Sequence, residues 1–357
     1  MQTDVLIAGA GIGGLSLAAA LQRQNTDYLL VEARDRAGGR ILTVGSGSAG
    51  APDNFVDLGP SWIWPGQGHI AALLNELQIP VFDQYSIGTL VYEDEFGQIR
   101  RDLDYSSMGG SLRVEGGLAR VTDRLLGGLD RDAVLLGHRL CAIHRNTEGY
   151  RAVFELGEEQ LEVQASRVVL AIPPRVVASQ IEFEPALPAA VMQEMSSIPT
   201  WMAAHAKLFA IYEQPFWRTQ GLSGDGISRR GPLMEIHDAS PAGADRGALF
   251  GFVGLAAGSP QRESSRLKVD AVAQLERMYG AEAAKPLDVV LQDWSLEPCT
   301  ATAADQITAE HPRYGIPPGM AALAESGLLF ASSEMAPQFG GFVEGALEAA
   351  HNALLQL

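Results

Sequence analysis

Two features of this 357-residue chain could do chemistry: a glycine-rich turn answered by an acid, and a lysine set in apolar sequence. Gly9-Ala10-Gly11-Ile12-Gly13-Gly14 matches G-x-G-x-x-G at Gly9, Gly11 and Gly14. Gly9 permits a tight turn, Gly11 lets backbone approach a pyrophosphate, and Gly14 lets a helix pack closely on a strand. Unpaired N–H groups at the start of that helix favour the anion. Glu32 closes the next apolar run, where a carboxylate accepts hydrogen bonds from an adenosine ribose and disfavours a 2′-phosphate. The turn therefore points to a dinucleotide other than NADP, and by itself does not separate FAD from NAD. Lys207, one of three lysines, lies in Trp201-Met202-Ala203-Ala204-His205-Ala206-Lys207-Leu208-Phe209-Ala210-Ile211-Tyr212. Lysines are rarely buried without a reason; the plain alternative is an edge lysine snorkelling to solvent. His205 shares a strand face with Lys207 by two-residue alternation. It either faces the same cavity or is a structural histidine.

The elements that must carry these residues follow from periodicity. Val5-Leu6-Ile7-Ala8 predicts a buried strand, Leu15 to Gln24 a helix, and Tyr28-Leu29-Leu30-Val31 the next strand, a βαβ unit. Residues 43–56, rich in Gly, Ser and Ala, predict a loop, and Ile70 to Gln78 a short helix. Alternation from Gly88 to Asp102 around Phe96-Gly97 predicts a hairpin. Leu118 to Leu129 predicts a helix, followed by strands at 133–145, 150–156 and 161–165. A separate buried strand, Val168 to Ile172, ends at Pro173-Pro174. The middle, 186–289, mixes strands with a helix near 263–279. A last buried strand, Leu328 to Ala331, precedes a Gly-rich turn and a helix from about Gly341 to Leu355.

Composition removes several functions. Forty-three acidic and 26 basic residues give a net charge of −17, which repels phosphate backbones and anionic lipid, so neither nucleic acid nor a membrane surface is expected as partner. Two cysteines, Cys141 and Cys299, make neither a disulfide framework nor a metal cluster, and no metal is expected. The chain enters an apolar strand after Met1-Gln2-Thr3-Asp4, with no signal-peptide pattern and no 18-residue apolar run, so a cytoplasmic protein is expected.

Glu32-Ala33-Arg34-Asp35-Arg36-Ala37-Gly38-Gly39-Arg40 resembles the E-x-R…G-G-R stretch of the flavin-dependent amine oxidase family. Further stretches resemble that family in order: Asp57-Leu58-Gly59-Pro60-Ser61-Trp62, Arg113-Val114-Glu115-Gly116-Gly117, and Ala171-Ile172-Pro173-Pro174. Lys207 before Pro215-Phe216-Trp217, Leu329 to Glu334, and Gly340 to Ala346 complete the series. The resemblance implies an α/β fold, with a FAD-binding Rossmann-like domain and a smaller, mixed-sheet substrate domain, discontinuous in sequence. The expected FAD domain is 1–72, 113–185 and 290–357, and the substrate domain 73–112 and 186–289. FAD is expected against Gly9, Gly11, Gly13, Gly14, Glu32, Arg34, Gly39 and Arg40. The same contact is expected of Leu58, Gly59, Pro60, Ser61, Cys141, Ser333, Glu334, Phe342 and Val343. In the family a lysine at the place of Lys207 holds a water at flavin N5, and the last helix points its positive end at the flavin.

The sequence also departs from the family. The two tyrosines that flank the substrate in monoamine oxidases are replaced by Phe342 and Ala304, leaving Phe342 and Trp294 as expected pocket walls beside the catalytic Lys207. Ala303 stands where covalent members have a flavin-linked cysteine, so FAD is expected to be non-covalent and Cys299 structural. Only a short stretch separates Trp62 from Gly116, so a smaller substrate domain is expected, with a more open pocket or one closed by a partner in a homo-oligomer. Gly59 to Pro65 carries no arginine to clamp a substrate carboxylate, which disfavours an amino acid substrate. The expected activity is oxidation of a small amine by FAD, with dioxygen as reoxidant. A desaturase or dehydrogenase of the same superfamily, and a flavin-binding protein without turnover, are the alternatives.

Overall fold

The computed structural model describes residues 1–45, 55–243, 246–262, 265–307 and 310–357. The chain opens with β1 (Gln2–Ala8), α1 (Ile12–Arg23) and β2 (Tyr28–Val31). The two strands run parallel, with Ile7 opposite Leu30. Val5, Ile7 and Leu30 enter one core, while Leu6, Ala8, Leu29 and Val31 enter another. Because both faces are covered, these strands read as unbroken apolar runs.

β3 (Thr43–Gly45) and β4 (Phe55–Asp57) pair antiparallel, so the ends of the predicted loop form a ribbon; its middle, 46–54, lies outside the described residues. Next come α2 (Gly68–Glu76), β5 (Val81–Asp83), and the predicted hairpin of β6 (Thr89–Glu93) and β7 (Ile99–Leu103). β8 (Leu112–Val114) pairs with β5 and leads into α3 (Ala119–Gly128). The strand predicted at 133–145 is two: β9 (Val134–Leu135) pairs with β2, and β10 (Arg139–Asn146) pairs with β11 (Gly149–Leu156). Gly137, with φ of 77°, turns the chain between them. Conversely, the strands predicted at 161–165 and 168–172 are one, β12 (Glu159–Leu170). Its first half pairs antiparallel with β11 and its second half parallel with β1. No glycine or proline interrupts it, and the change in burial that suggested a break is a change of neighbours.

α4 (Pro174–Gln180), β13 (Glu182–Glu184) and α5 (Ala189–Ser197) follow. Then come β14 (Ala206–Tyr212), α6 (Phe216–Thr219), β15 (Leu222–Ser228), β16 (Leu233–Asp238) and β17 (Gly247–Val253). α7 (Ser265–Tyr279), β18 (Asp288–Asp293), α8 (Pro318–Ala321), β19 (Leu328–Phe330) and α9 (Val343–Leu354) complete the chain.

One sheet has the order β13-β10-β11-β12-β1-β2-β9, with β19 also on β12. Residues of α1, α2, α3 and α9 pack on one of its faces, and residues of α4, α5 and α8 on the other. The second sheet runs β18-β14-β17-β16-β15-β6-β7. α7 covers one face through Leu267, Ala271, Leu275 and Met278, against Leu208 and Ala210 of β14. The opposite face presents Phe209, Ile211 and Phe250 to Val56 and Leu58. Two expected domain boundaries fall inside elements. The one at 289/290 cuts β18, which pairs with β14 as Leu208 opposite Leu291. The one at 72/73 cuts α2, whose Ile70, Leu73 and Leu74 share one core.

Candidate functional site

A cavity of about 810 Å³ starts at the glycine turn and includes Lys207, Trp64 and Glu235 among its walls. At the turn, Gly9 has φ of 106° and lies so close to Ala171 that an added Cβ would meet its carbonyl oxygen at 2.7 Å. A Cβ on Gly14 would stand 1.9 Å from the carbonyl oxygen of Gly9. Gly11 is different: a Cβ there meets nothing within 4 Å, so the open space belongs to the cavity. The amino terminus of α1 has no side-chain cap, which leaves its first N–H groups for a ligand anion. Glu32 is buried and accepts from the Ala10 N–H at 2.7 Å and the Arg34 N–H at 3.0 Å, which fixes the turn and its own orientation. An elongated dinucleotide fits this cradle.

The predicted residues Gly9, Gly11, Gly13, Glu32, Arg34, Gly39 and Arg40 all line the cavity. So do Gly59, Pro60, Ser61, Ser333, Phe342, Val343, Lys207 and Trp294. Gly14, Leu58, Glu334 and Cys141 are outside the lining. Gly14 packs helix on strand, Leu58 accepts the Trp294 indole N–H on its carbonyl at 3.0 Å, and Glu334 lies beneath Arg40. Cys141 sits at an irregularity of β10, between Leu140 and Ala142, and its thiol donates to the Arg139 carbonyl. Arg139 and Leu140 reach the cavity in its place.

Arg34 and Arg40 are cations already paired within the protein. Arg34 donates to Thr300 at 2.9 Å and Glu297 at 3.2 Å. Arg40 donates to both oxygens of buried Glu334, at 2.7 and 3.1 Å, and to Ser333. Arg36 is a brace that sequence reasoning passed over: it donates to the carbonyls of Ala37, Gly39 and Ile41 and so holds the Gly38-Gly39 loop.

Lys207 stands on β14, 5% exposed. Its Nζ donates to the Gly59 carbonyl at 2.5 Å and to Ser61 Oγ at 3.1 Å. The Phe250 ring centroid is 4.6 Å away and that of Phe252 5.5 Å. Burial, opposed by Asp57 and reinforced by Arg113, brings the Lys207 pKa down to about 7. His205 lines the same cavity, and its Nδ1 is buried with no described partner. Burial and the Arg262 charge hold its pKa below the usual histidine value.

The aromatic wall is assembled differently from the sequence expectation. Ala303 and Ala304 are exposed, and the Ala304 carbonyl accepts from Arg175. Phe342 stands 5.4 Å from the His311 ring, which meets Trp201 at 4.5 Å. Trp201 is close enough to Gly341 that a Cβ there would meet the Trp201 side chain at 2.7 Å. Trp201, Trp64, Phe252 and Glu235 line the cavity and were missed. The alternation that places Phe250 and Phe252 on the face of β17 was a usable signal, whereas nothing local marks Trp201.

Residues 12–100 and 91–353 match the family model for flavin containing amine oxidoreductases, and the chain belongs to that family. It is a FAD-dependent amine oxidase. A Mycobacterium tuberculosis protein assigned as a flavin-containing monoamine oxidase is 28% identical, over 99% of this chain and 96% of its own length. That alignment runs over 453 positions, which this chain of 357 residues fills only with gaps. A putrescine oxidase of Kocuria rosea is 26% identical over 88% of this chain and 87% of its own. Among solved structures, a putrescine oxidase bound to putrescine shares the fold with a TM-score of 0.80 at 22% identity, covering 99% of this chain and 98% of that one. No helix of the described residues is long and apolar enough to cross a membrane, and none of their His, Cys, Asp and Glu groups could hold a metal ion.

Proposed function

We propose that the cavity oxidises the carbon beside a primary amine nitrogen in a small substrate whose far end carries a second cationic group. The observation that carries this reading is one cavity joining the glycine turn to a chamber walled by Lys207, aromatic rings and the Glu235 carboxylate. Glu235 is the chamber's acidic group, and a carboxylate there recognises a distal ammonium. The putrescine oxidase relative supports a diamine.

When bound, FAD supplies the two-electron oxidation of amine to imine and passes the electrons to dioxygen, giving hydrogen peroxide. The chain's own residues hold and orient. The Gly11 turn and the start of α1 would hold the pyrophosphate, and Glu32 the adenosine ribose. Ser333, and Val343 at the start of α9, line the cavity and would hold the far ring, where the helix dipole would favour negative charge. Lys207, held by Gly59 and Ser61, keeps an exchangeable proton on Nζ near pH 7. Phe342, Trp294 and Trp201 exclude water from the amine. Retention of FAD is non-covalent: Cys299 lines the cavity, but burial holds its thiol above the usual range, away from the reactive thiolate. The FAD domain is built from about 1–72, 113–185 and 290–357 and the substrate domain from about 73–112 and 186–289, with the ends near 72 and 290 moved out of α2 and β18; the protein acts in the cytoplasm.

Peroxide release from 1,4-diaminobutane and from butylamine tests the substrate. The diamine is expected to have the higher kcat/KM. Glu235→Gln is expected to lower the diamine-to-monoamine ratio by about 10- to 100-fold, the value of one charged hydrogen bond. Equal ratios in the two proteins would remove the distal cation from the reading.

A further inference from the structure

Glu235 ends a row of three titratable side chains, and the two beneath it are not used by the oxidation itself. His237 is two residues along β16 from Glu235 and therefore on the same face. Asp225 faces it across the strand pair, in the register that sets Gly226 opposite Ile236. His237 Nδ1 is 2.9 Å from Asp225 Oδ1, and its Nε2 is 3.1 Å from Glu235 Oε1. His237 and Asp225 are each 1% exposed, while the Glu235 side chain is 41% exposed and reaches the cavity. The ring is wedged edge-on against Trp62, with centroids 5.1 Å apart, and tilted on Phe250 at 5.3 Å.

A neutral imidazole carries one N–H, so it would leave one of these two carboxylates facing a bare nitrogen lone pair. An imidazolium donates to both. Asp225 Oδ2 is buried with no described partner, so this carboxylate depends on His237 for its countercharge. Ser107 Oγ donates to Glu235 Oε1 at 3.2 Å, so both neighbours hold the same oxygen and Oε2 has no partner among the described residues. Three formal charges then sum to one negative charge, and the member that meets the cavity is Glu235.

We propose that His237 is a positioning residue: a doubly donating imidazolium, anchored by Asp225, that keeps Glu235 ionised and turns its free oxygen toward the distal cation of the substrate. This rests on the diamine reading given above. Burial opposes the charge on His237, but its bonds to Asp225 and Glu235 outweigh that and raise its pKa. The same bond to His237, with that from Ser107, lowers the Glu235 pKa against its own desolvation. The other charged or titratable groups packed around the row are committed elsewhere. Tyr279 of α7 donates to the Gly224 carbonyl, Asp238 is held by Arg218 and Trp217, and Lys207 of β14 lies beyond the Phe250 ring and bonds Gly59 and Ser61.

Two measurements on the holoenzyme test this. Neutron diffraction at pH 7 is expected to show deuterium on both nitrogens of His237; a bare ring nitrogen overturns the proposal, whatever the substrate. The second is the pH dependence of the diamine-to-monoamine ratio of kcat/KM in wild type, His237→Gln and Asp225→Asn. In the wild type the ratio falls only as acid protonates Glu235. In both variants that fall is expected at a pH about one unit higher or more. A variant that retains FAD and shows the wild-type profile overturns the proposal. A wild type indifferent to the second amine, with both nitrogens deuterated, supports the ionised row and sinks only the diamine reading.

Discussion

Lys207 contributes its own proton balance to the chamber. The Lys207 ammonium is buried among aromatic rings with two neutral acceptors, and its pKa of about 7 lies below the ordinary 10.5. Because the folded value is the lower one, the unfolded chain binds more protons between pH 7 and 10.5, and stability rises with pH across that window. Below pH 7 both states are protonated and the cost of burial is complete. Lys207→Met is therefore expected to gain stability over wild type below pH 7, with the gain shrinking toward pH 10.5, as read from urea midpoints. The same variant should retain FAD and lose about 100-fold in turnover. The ionisation near 7 should vanish from its rate profile. The glycines make a second contrast. Gly11→Ala adds a methyl to the cavity and not to the core, so FAD affinity should fall while the apoprotein melts as before. Gly14→Ala drives a methyl into the Gly9 carbonyl and should destabilise the apoprotein by about 1–3 kcal/mol.

At the scale of elements, distant carboxylates cap helices that lack their own caps. Glu344 of α9 is 2% exposed and accepts from the His69 and Ile70 N–H groups of α2, at 2.9 and 2.8 Å. Asp57 does the same for α3 through the Leu118 N–H at 2.9 Å, while Thr43 donates to the same carboxylate oxygen. α2 has no side-chain cap at Gln67, so the last helix supplies what its own sequence does not. Glu344→Ala keeps α9 intact, since alanine favours helix, but leaves two N–H donors of α2 without their acceptor, that of Ile70 buried. A loss of about 1–3 kcal/mol is expected in chemical denaturation. Hydrogen exchange at Ile70 should accelerate more than exchange within α9.

In the whole molecule, the cavity lies between the sheets, so FAD filling it should report on both. The cavity is walled by β1 and α1 on one side and by β14, β16 and β17 on the other, so a ligand filling it ties the two cores together. FAD at 100 times its Kd is expected to add about 2.7 kcal/mol to unfolding. Protection from exchange should rise in β14 as well as in β1. Protection confined to β1 would place the ligand in the first sheet alone.

The turn, the first βαβ unit and the hairpin at Gly97 were legible because each is fixed by steric limits on neighbouring residues. The Gly9-to-Gly14 spacing marks a tight turn opening a helix, and Lys207 announced itself as a charge in an apolar run. β12 was misread as two strands because burial changes midway along it, where β11 gives way to β1, and only tertiary pairing makes that change. The Trp201 part of the aromatic wall, the cap at Glu344 and the Asp225–His237–Glu235 row were not legible. Trp201 reaches Phe342 through His311, and Glu344 reaches His69 across nearly the whole chain. The sequence alone determined the glycine turn and the βαβ unit around it, since backbone sterics act over a few residues. Only the tertiary structure decided which charges line the chamber and in what state, because desolvation and ion pairing depend on neighbours that folding brings from far away.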